Sequence, residues 1–346
     1  MRGRHGASAF FDAFGQGGRD VQELLNISDH ACDTLGVLDD DPSLLATLLQ
    51  QGDLSGIELM VTGYGDPAFF PTETVHGVHL RFWPNWLDFW LGNEEELQKE
   101  FGSRENVAAV FGENRAAWLA LWRENMRTAA RVGARYVVFH VANARSWEMK
   151  CRHFAYGSVQ VIDAAAEVVN AISDVLPEEC LLLYENLWWP GLTLTEPKLA
   201  TRLLEKTHHE RTGFVLDTGH MMNTNTSLTN EEEAVRYILQ KVENLGSLRE
   251  RIFAMHLHRS LSGDFVQRSM VEAQKEEMRT LSFEEGYRYV SAVDRHEPFE
   301  TAAVRRLIEA VAPEFLVHEF LISSWEEWQK KVKKQKNSLW GGDASE

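Results

Sequence analysis

Seven short apolar runs recur along this chain, and nearly all of them carry a histidine, aspartate or glutamate at or near the C-terminal end. They are Gly56–Val61 (GIELMV), Val75–Phe82 (VHGVHLRF), Arg135–Val141 (RYVVFHV), Leu181–Glu185 (LLLYE), Gly213–Asp217 (GFVLD), Ile252–His258 (IFAMHLH) and Phe315–Phe320 (FLVHEF). Near-continuous Val, Ile, Leu and Phe is the pattern of strands buried on both faces of a parallel sheet. Amphipathic stretches separate them: Glu113–Arg131, with Ala117, Leu121 and Ala129 at helical spacing, then Val159–Val175, Glu231–Val242, Thr301–Val311 and Trp325–Lys334. This alternation builds βαβ units. An eighth strand in the first 40 residues, for which Gly6–Phe11 is the candidate, would close a single-domain α/β fold, a (β/α)₈ barrel. Two connections exceed ordinary loops, Arg81–Ser103 and Arg259–Val293. Long βα insertions in such a barrel lie over its C-terminal mouth. The tail after Lys336 is expected to fray.

Composition narrows the partners. The formal charge is -17, which gives no long-range attraction to nucleic acid or to an anionic membrane surface. Nucleic acid is therefore disfavoured, and a small-molecule substrate is expected. No run reaches the roughly 18 to 20 apolar residues that span a bilayer. Met1 to Phe14 lacks the apolar stretch of a signal peptide. The three cysteines, Cys32, Cys151 and Cys180, form no paired framework and read as reduced thiols in a cytoplasmic protein.

The polar residues at the strand ends carry the chemistry. His79, His140, Glu185, Asp217, His256 and Glu319 end or nearly end successive strands. His220 follows Asp217 in D-x-x-H, and Asp294 and His296 form D-x-H in the second long connection. Each has a plainer use: a strand histidine can be a hydrogen-bonded core residue, and Asp217 is placed to cap the next helix. Nine such residues gathered at one end of a barrel need a shared reason. Imidazole and carboxylate are the common ligands of Zn²⁺ and Mn²⁺. Buried carboxylates are costly unless paired or coordinating. Two or three divalent ions per chain are expected, with zinc favoured and manganese or iron open. Alternation turns His318 away from the axis, whereas His258 shares the parity of His256 and lines the mouth. His79 is preferred to His76 because it lies nearer the C-terminal end of its strand.

On these residues the chain resembles the xylose-isomerase-like TIM-barrel superfamily that includes endonuclease IV, the AP endonuclease family 2 proteins. The resemblance runs from about Gly56 to Glu319 and rests on strand order and ligand placement. Sugar isomerases and epimerases of the superfamily carry a Glu, Asp, His, Glu quartet, matched by Glu185, Asp217, His256 and Glu319. The endonuclease IV branch adds the equivalents of His79, His140, Asp294 and His296. The resemblance implies a trinuclear site: His79, His140 and Glu185 on one ion; Glu185, Asp217, His256 and Glu319 on a second; His220, Asp294 and His296 on a third. Two departures lie where substrate is read: the expanded Arg259–Val293 and the segment after His79 (LRFWPNWLDFW). They count against abasic DNA and leave the ligands alone.

These readings favour a metal-dependent hydrolase, a phosphoesterase acting on a small organic phosphate, with Glu185 bridging and the quartet as the catalytic core. The alternative is a metal-dependent sugar isomerase or epimerase using the quartet alone. Arg81 and Arg295 are candidates for phosphate contact, Trp83 and Trp188 for an aromatic wall, Asn186 for a hydrogen bond to substrate, and His258 for a contact at the mouth.

Overall fold

The computed structural model describes residues 21–341, which form a closed eight-stranded parallel barrel. Its strands are β1 (Gln22–Ser28), β2 (Gly56–Met60), β3 (Val75–His79), β4 (Tyr136–His140), β5 (Leu181–Glu185), β6 (Thr212–Asp217), β7 (Ile252–Leu257) and β8 (Phe315–His318). Each strand pairs with the next, and β8 closes on β1. The seven strands expected from the sequence are present, several a few residues shorter. The first strand differs from expectation. It is Gln22–Ser28 (QELLNIS), whereas Gly6–Phe11 lies outside the described residues. Its apolar content is low because the inward positions of β1 include Asn26 and Ser28, so it lacked the run that marks the others.

Alternation along the strands divides the core in two. Leu24, Tyr136, Val138, Leu181, Leu183, Val215, Ala254, Phe315 and Val317 pack inside the barrel. The opposite faces, with residues such as Val137, Leu182, Phe214, Met255 and Leu316, pack under the helices. Following the inward parity to the C-terminal ends gives Val138 then His140, Leu183 then Glu185, Val215 then Asp217, Ala254 then His256, and Val317 then Glu319. The top layer of the barrel filling is thus ionisable, while the layers beneath are apolar apart from Glu58 and the Tyr136 hydroxyl that donates to it. Gly77 permits one large ring below that layer: a Cβ there would lie 2.1 Å from Cζ of Tyr136.

The helix Arg115–Val132 starts where the Asn114 side chain accepts from the Ala117 amide at 3.1 Å, and it stops at Gly133 in the left-handed region. Its buried face is Trp118, Trp122, Met126 and Ala129. Leu121, expected on that face, is largely exposed. The last helix runs through Trp340 and so includes Asn337–Trp340. Gln335 of that last helix anchors it by donating to the Leu257 carbonyl at 2.8 Å.

Both long connections fold into helices over the mouth. The first holds helices Leu87–Leu91 and Glu94–Phe101; the second holds Gly263–Ala273 and Phe283–Val293. The first is pinned to the loop after β4: Trp86 donates to the Ala142 carbonyl at 2.9 Å, and Arg145 forms two hydrogen bonds with buried Asp88. No helix among the described residues is long and apolar enough to cross a membrane.

Candidate metal centre

The nine strand-end and loop residues converge at the barrel mouth, all of them largely or wholly buried. Glu185 lies at the middle. Its Oε2 is 3.0 Å from Nε2 of His79 and 2.8 Å from Nε2 of His140; its Oε1 is 3.1 Å from Nδ1 of His220 and 3.5 Å from Nδ1 of His256. The two oxygens of one carboxylate thus face two different pairs of imidazoles. Nδ1 of His256 also faces Glu319 Oε2 at 3.1 Å and Asp217 Oδ2 at 3.8 Å. Asp294 Oδ2 lies 3.1 Å from Nε2 of His220 and 3.4 Å from Nδ1 of His296. Asp217 serves two purposes: Oδ1 caps the following helix by accepting from the His220 amide at 2.6 Å, while Oδ2 points into the cluster.

Ring tautomers test whether these residues fit cations. In His79, Nδ1 faces the Leu80 carbonyl at 3.0 Å; in His220, Nδ1 faces the Asn186 carbonyl at 2.9 Å; in His296, Nδ1 faces the Asp294 carbonyl at 3.1 Å. A carbonyl only accepts, so Nδ1 carries the proton and a neutral ring turns the lone pair of Nε2 into the cluster. His256 is reversed. Nε2 donates to Glu58, with oxygens at 3.0 and 3.2 Å, which leaves Nδ1 facing the carboxylates. Lone pairs aimed at carboxylate oxygens about 3 to 4 Å away repel unless a positive charge lies between them. Orienting one ring nitrogen outward so that the other is free is how metal-binding histidines are held. Glu185 Oε1, His256 Nδ1, Glu319 Oε2 and both nitrogens of His140 are buried without a hydrogen-bond partner. Charge balance agrees. Glu58, Glu185, Asp217, Asp294 and Glu319 are all buried and carry at most five negative charges, which two or three divalent cations neutralise.

Without cations, only protons can do this. Burial disfavours a charged imidazole, yet Asp217 and Asp294 outweigh it at His220, and Glu58 and Glu319 outweigh it at His256, so both are pushed well above their usual range. Burial likewise opposes charge on His296, but Asp294 and Glu319 push it up to about 9. At His140 burial prevails and lowers the pKa. Burial opposes ionisation of Glu185, but the imidazoles of His140 and His256 hold it well below the usual carboxylate range; burial raises Asp217. Cations compete with those protons, so metal uptake should release protons and weaken as pH falls.

Glu58 is the residue that strand-end reasoning passes over. It is mid-strand in β2, buried, accepts from Tyr136 Oη at 2.7 Å and holds His256. A charged residue inside GIELM was the available signal. Glu58→Ala should leave His256 and Tyr136 without their shared acceptor and weaken metal affinity about 10- to 100-fold. Glu58→Gln, whose amide oxygen still accepts from Nε2, should lie closer to wild type. Competition titration of Zn²⁺ against a chromophoric chelator measures both, and equal affinity for Glu58→Ala and wild type would show that Glu58 does not orient His256.

The expected substrate contacts fare differently. Trp188 is buried 5.0 Å from the His220 ring, and Phe82 packs on His140 at 4.5 Å and stacks with Trp189 at 6.4 Å, so these three rings lie against the cluster. Trp83 does not join them: it is buried against Trp118 and Trp122 and donates to the Val110 carbonyl. Asn186 is consumed by the backbone of β6, donating to the Asp217 carbonyl at 3.0 Å and accepting from the Asp217 amide at 2.9 Å. His258 is fully buried among the ligands and is not a contact at the mouth. Arg81 is half-buried, bonded to Tyr64 Oη and stacked on the Trp83 ring. Arg295 is exposed. His318 turns outward to Glu23 at 2.8 Å.

A search of curated protein sequences finds no match to this chain. Solved structures do match in fold. Endonuclease IV from Thermus thermophilus is 14% identical with a TM-score of 0.52, over 92% of this chain and 98% of that one. A candidate xylose isomerase from Rhodospirillum rubrum is 12% identical with a TM-score of 0.52, over 91% and 98%. The sequence model of the xylose isomerase-like TIM barrel matches residues 101–320, a stretch that includes eight of the nine converging residues, all but His79, and the five strands from β4 to β8. With most of the chain matched and its barrel closed in the order the sequence implied, this protein belongs to the xylose isomerase-like TIM barrel family.

Proposed function

We propose that this chain is a metal-dependent hydrolase, a phosphoesterase acting on a small organic phosphate at a centre of two or three divalent ions, zinc foremost. The observation that carries the reading is the Glu185 carboxylate, which offers one oxygen to His79 and His140 and the other to the His256 and His220 side. Adjacent cation sites sharing one carboxylate suit a phosphate ester, whose several charged oxygens need more than one positive partner. Divalent ions held there would supply Lewis acidity and would lower the pKa of water toward neutrality. The chain's own residues do the rest. Glu58, Leu80, Asn186 and the Asp294 carbonyl orient the imidazoles. The ring wall of Phe82, Trp188 and Trp189 excludes water on one side and offers an apolar surface to the organic part of the ester. We assign phosphate contact to the exposed Arg295, and to Arg81 if it leaves its partners Tyr64 and Trp83. The charge of -17 favours a small substrate over nucleic acid.

The test is metal content of the purified protein together with hydrolysis of bis-p-nitrophenyl phosphate. Two or three ions per chain with turnover support the reading. One ion, no hydrolysis and exchange of a substrate C–H proton with deuterated solvent would replace it with an isomerase or epimerase run by Glu185, Asp217, His256 and Glu319. Removing the ions should also be visible in stability. A ligand at about 100 times its Kd stabilises the folded state by about 2.7 kcal/mol. Scanning calorimetry after chelation should therefore show Tm falling by about 4 °C for each ion so held, recovered on adding Zn²⁺. An unchanged Tm would mean that the folded state holds no ion tightly.

A further inference from the structure

His258 lies outside the nine-residue pattern, yet its Nε2 faces the same carboxylates as the nine. The reasoning rests on the reading of the cluster as a metal centre. Ser260 Oγ donates to Asp294 Oδ1 at 2.9 Å and accepts from the Arg295 amide at 2.9 Å. Its proton is committed, so toward Nδ1 of His258, 3.4 Å away, it presents only a lone pair. Nδ1 therefore carries the proton, and in the neutral ring Nε2 presents its lone pair. That nitrogen points at Asp217 Oδ2 at 3.0 Å and Glu319 Oε2 at 3.8 Å, which is repulsive with nothing positive between them. The ring is fully buried and stacks on His296 with centroids 4.1 Å apart and an 11° interplanar angle. Ligand atoms of His258, His296 and Glu319 lie within 4.8 Å of one another, and so do those of His258, Asp217 and His220. Backbone space is also reserved for it: a Cβ on Gly219 would lie 2.0 Å from Cε1 of His258.

We propose that His258 is a metal ligand through Nε2, on the cation held at the His296 side of the centre, with Ser260 and Asp294 fixing its tautomer. The third site would then differ from the one the family resemblance implies, with an imidazole from the end of β7 added to its ligands. A plain hydrogen-bonding role for His258 makes a different forecast, because glutamine can replace an N–H donor to Asp217 but cannot supply a ligand nitrogen.

The experiment is equilibrium loading with Zn²⁺, counted by mass spectrometry of the metal, and with Co²⁺, followed by its visible absorption. The proteins are wild type, His258→Gln, His258→Ala and Gly219→Ala, each with its circular dichroism spectrum recorded. Expected are three ions in wild type, one fewer in both His258 variants with the third-site affinity reduced at least about 100-fold, and altered Co²⁺ bands. Gly219→Ala replaces no ligand and should weaken the same site by pressing on the His258 ring, so the proposal stays testable if a His258 variant fails to fold. Wild-type affinity for the third ion in His258→Gln would overturn the proposal. Two ions in wild type would overturn it while leaving the metal centre in place. Fewer than two would remove the metal centre and the proposal with it.

Discussion

Glu185→Gln is expected to lower kcat/KM for phosphodiester hydrolysis by about 10³-fold or more and to lower the affinity of two ions at once. The substitution keeps size and shape and removes one charge from the point where His79, His140, His220 and His256 meet. If each side of the carboxylate helps hold a cation, loss of the charge should cost several kcal/mol of transition-state stabilisation, at about 1.4 kcal/mol per tenfold. Stability should fall both with and without metal, and further with it. In the chelated protein the imidazoles around Glu185 hold its buried carboxylate ionised, so removing that charge should lower the stability of the apoprotein as well. In the Zn²⁺-loaded protein the variant should melt lower, because it gains less from the ions. Metal counting, steady-state kinetics and calorimetry with and without chelator read all three. Loss of a single ion would show that Glu185 is a terminal ligand and not a bridge.

Trp118→Ala should cost about 3 to 5 kcal/mol of folding stability, a large part of the roughly 5 to 15 kcal/mol that a folded chain has. Trp118 is almost fully buried, within about 6 Å ring to ring of Trp83, Trp86, Phe89, Trp90, Phe111 and Trp122. Its indole nitrogen has no hydrogen-bond partner, so the loss is one of packing alone. Chemical denaturation should show the midpoint falling, with metal content per folded molecule unchanged. A change below about 1 kcal/mol would mean that the cavity collapses and that the aromatic connection is looser than its ring contacts indicate.

The aromatic connection also shows how far a sequence pattern reaches. The spacing of Trp83, Trp86 and Trp90 marks a common apolar patch, and the three do gather about one ring. Whether that patch turns to substrate or to core depends on a helix some thirty residues later, whose Trp118 receives it. Phe82, one residue before, points to His140 instead. Asn186 illustrates the same limit: an amide beside a ligand is read as a substrate contact until the backbone of β6 is seen to occupy both its oxygen and its nitrogen. Glu58 was legible in principle as a charge inside a buried strand, but its partners, Tyr136 and His256, lie 78 and 198 residues away.

The sequence by itself determined the barrel and the convergence of the nine residues. The barrel and the six strand-end residues follow from local rules, since strands buried on two faces need continuous apolar runs and a period of two fixes which side chain faces the axis; His220, Asp294 and His296 lie outside the strands and were legible from the D-x-x-H and D-x-H spacings and the family resemblance. The tertiary structure alone decided what each polar atom faces. Ring tautomers, the two-sided exposure of Glu185, the support of Glu58 and the turn of His258 toward Asp217 and Glu319 depend on groups from different strands and loops meeting within about 3 to 4 Å. Spacing along one chain places a residue on a face but carries no record of what stands across the barrel from it.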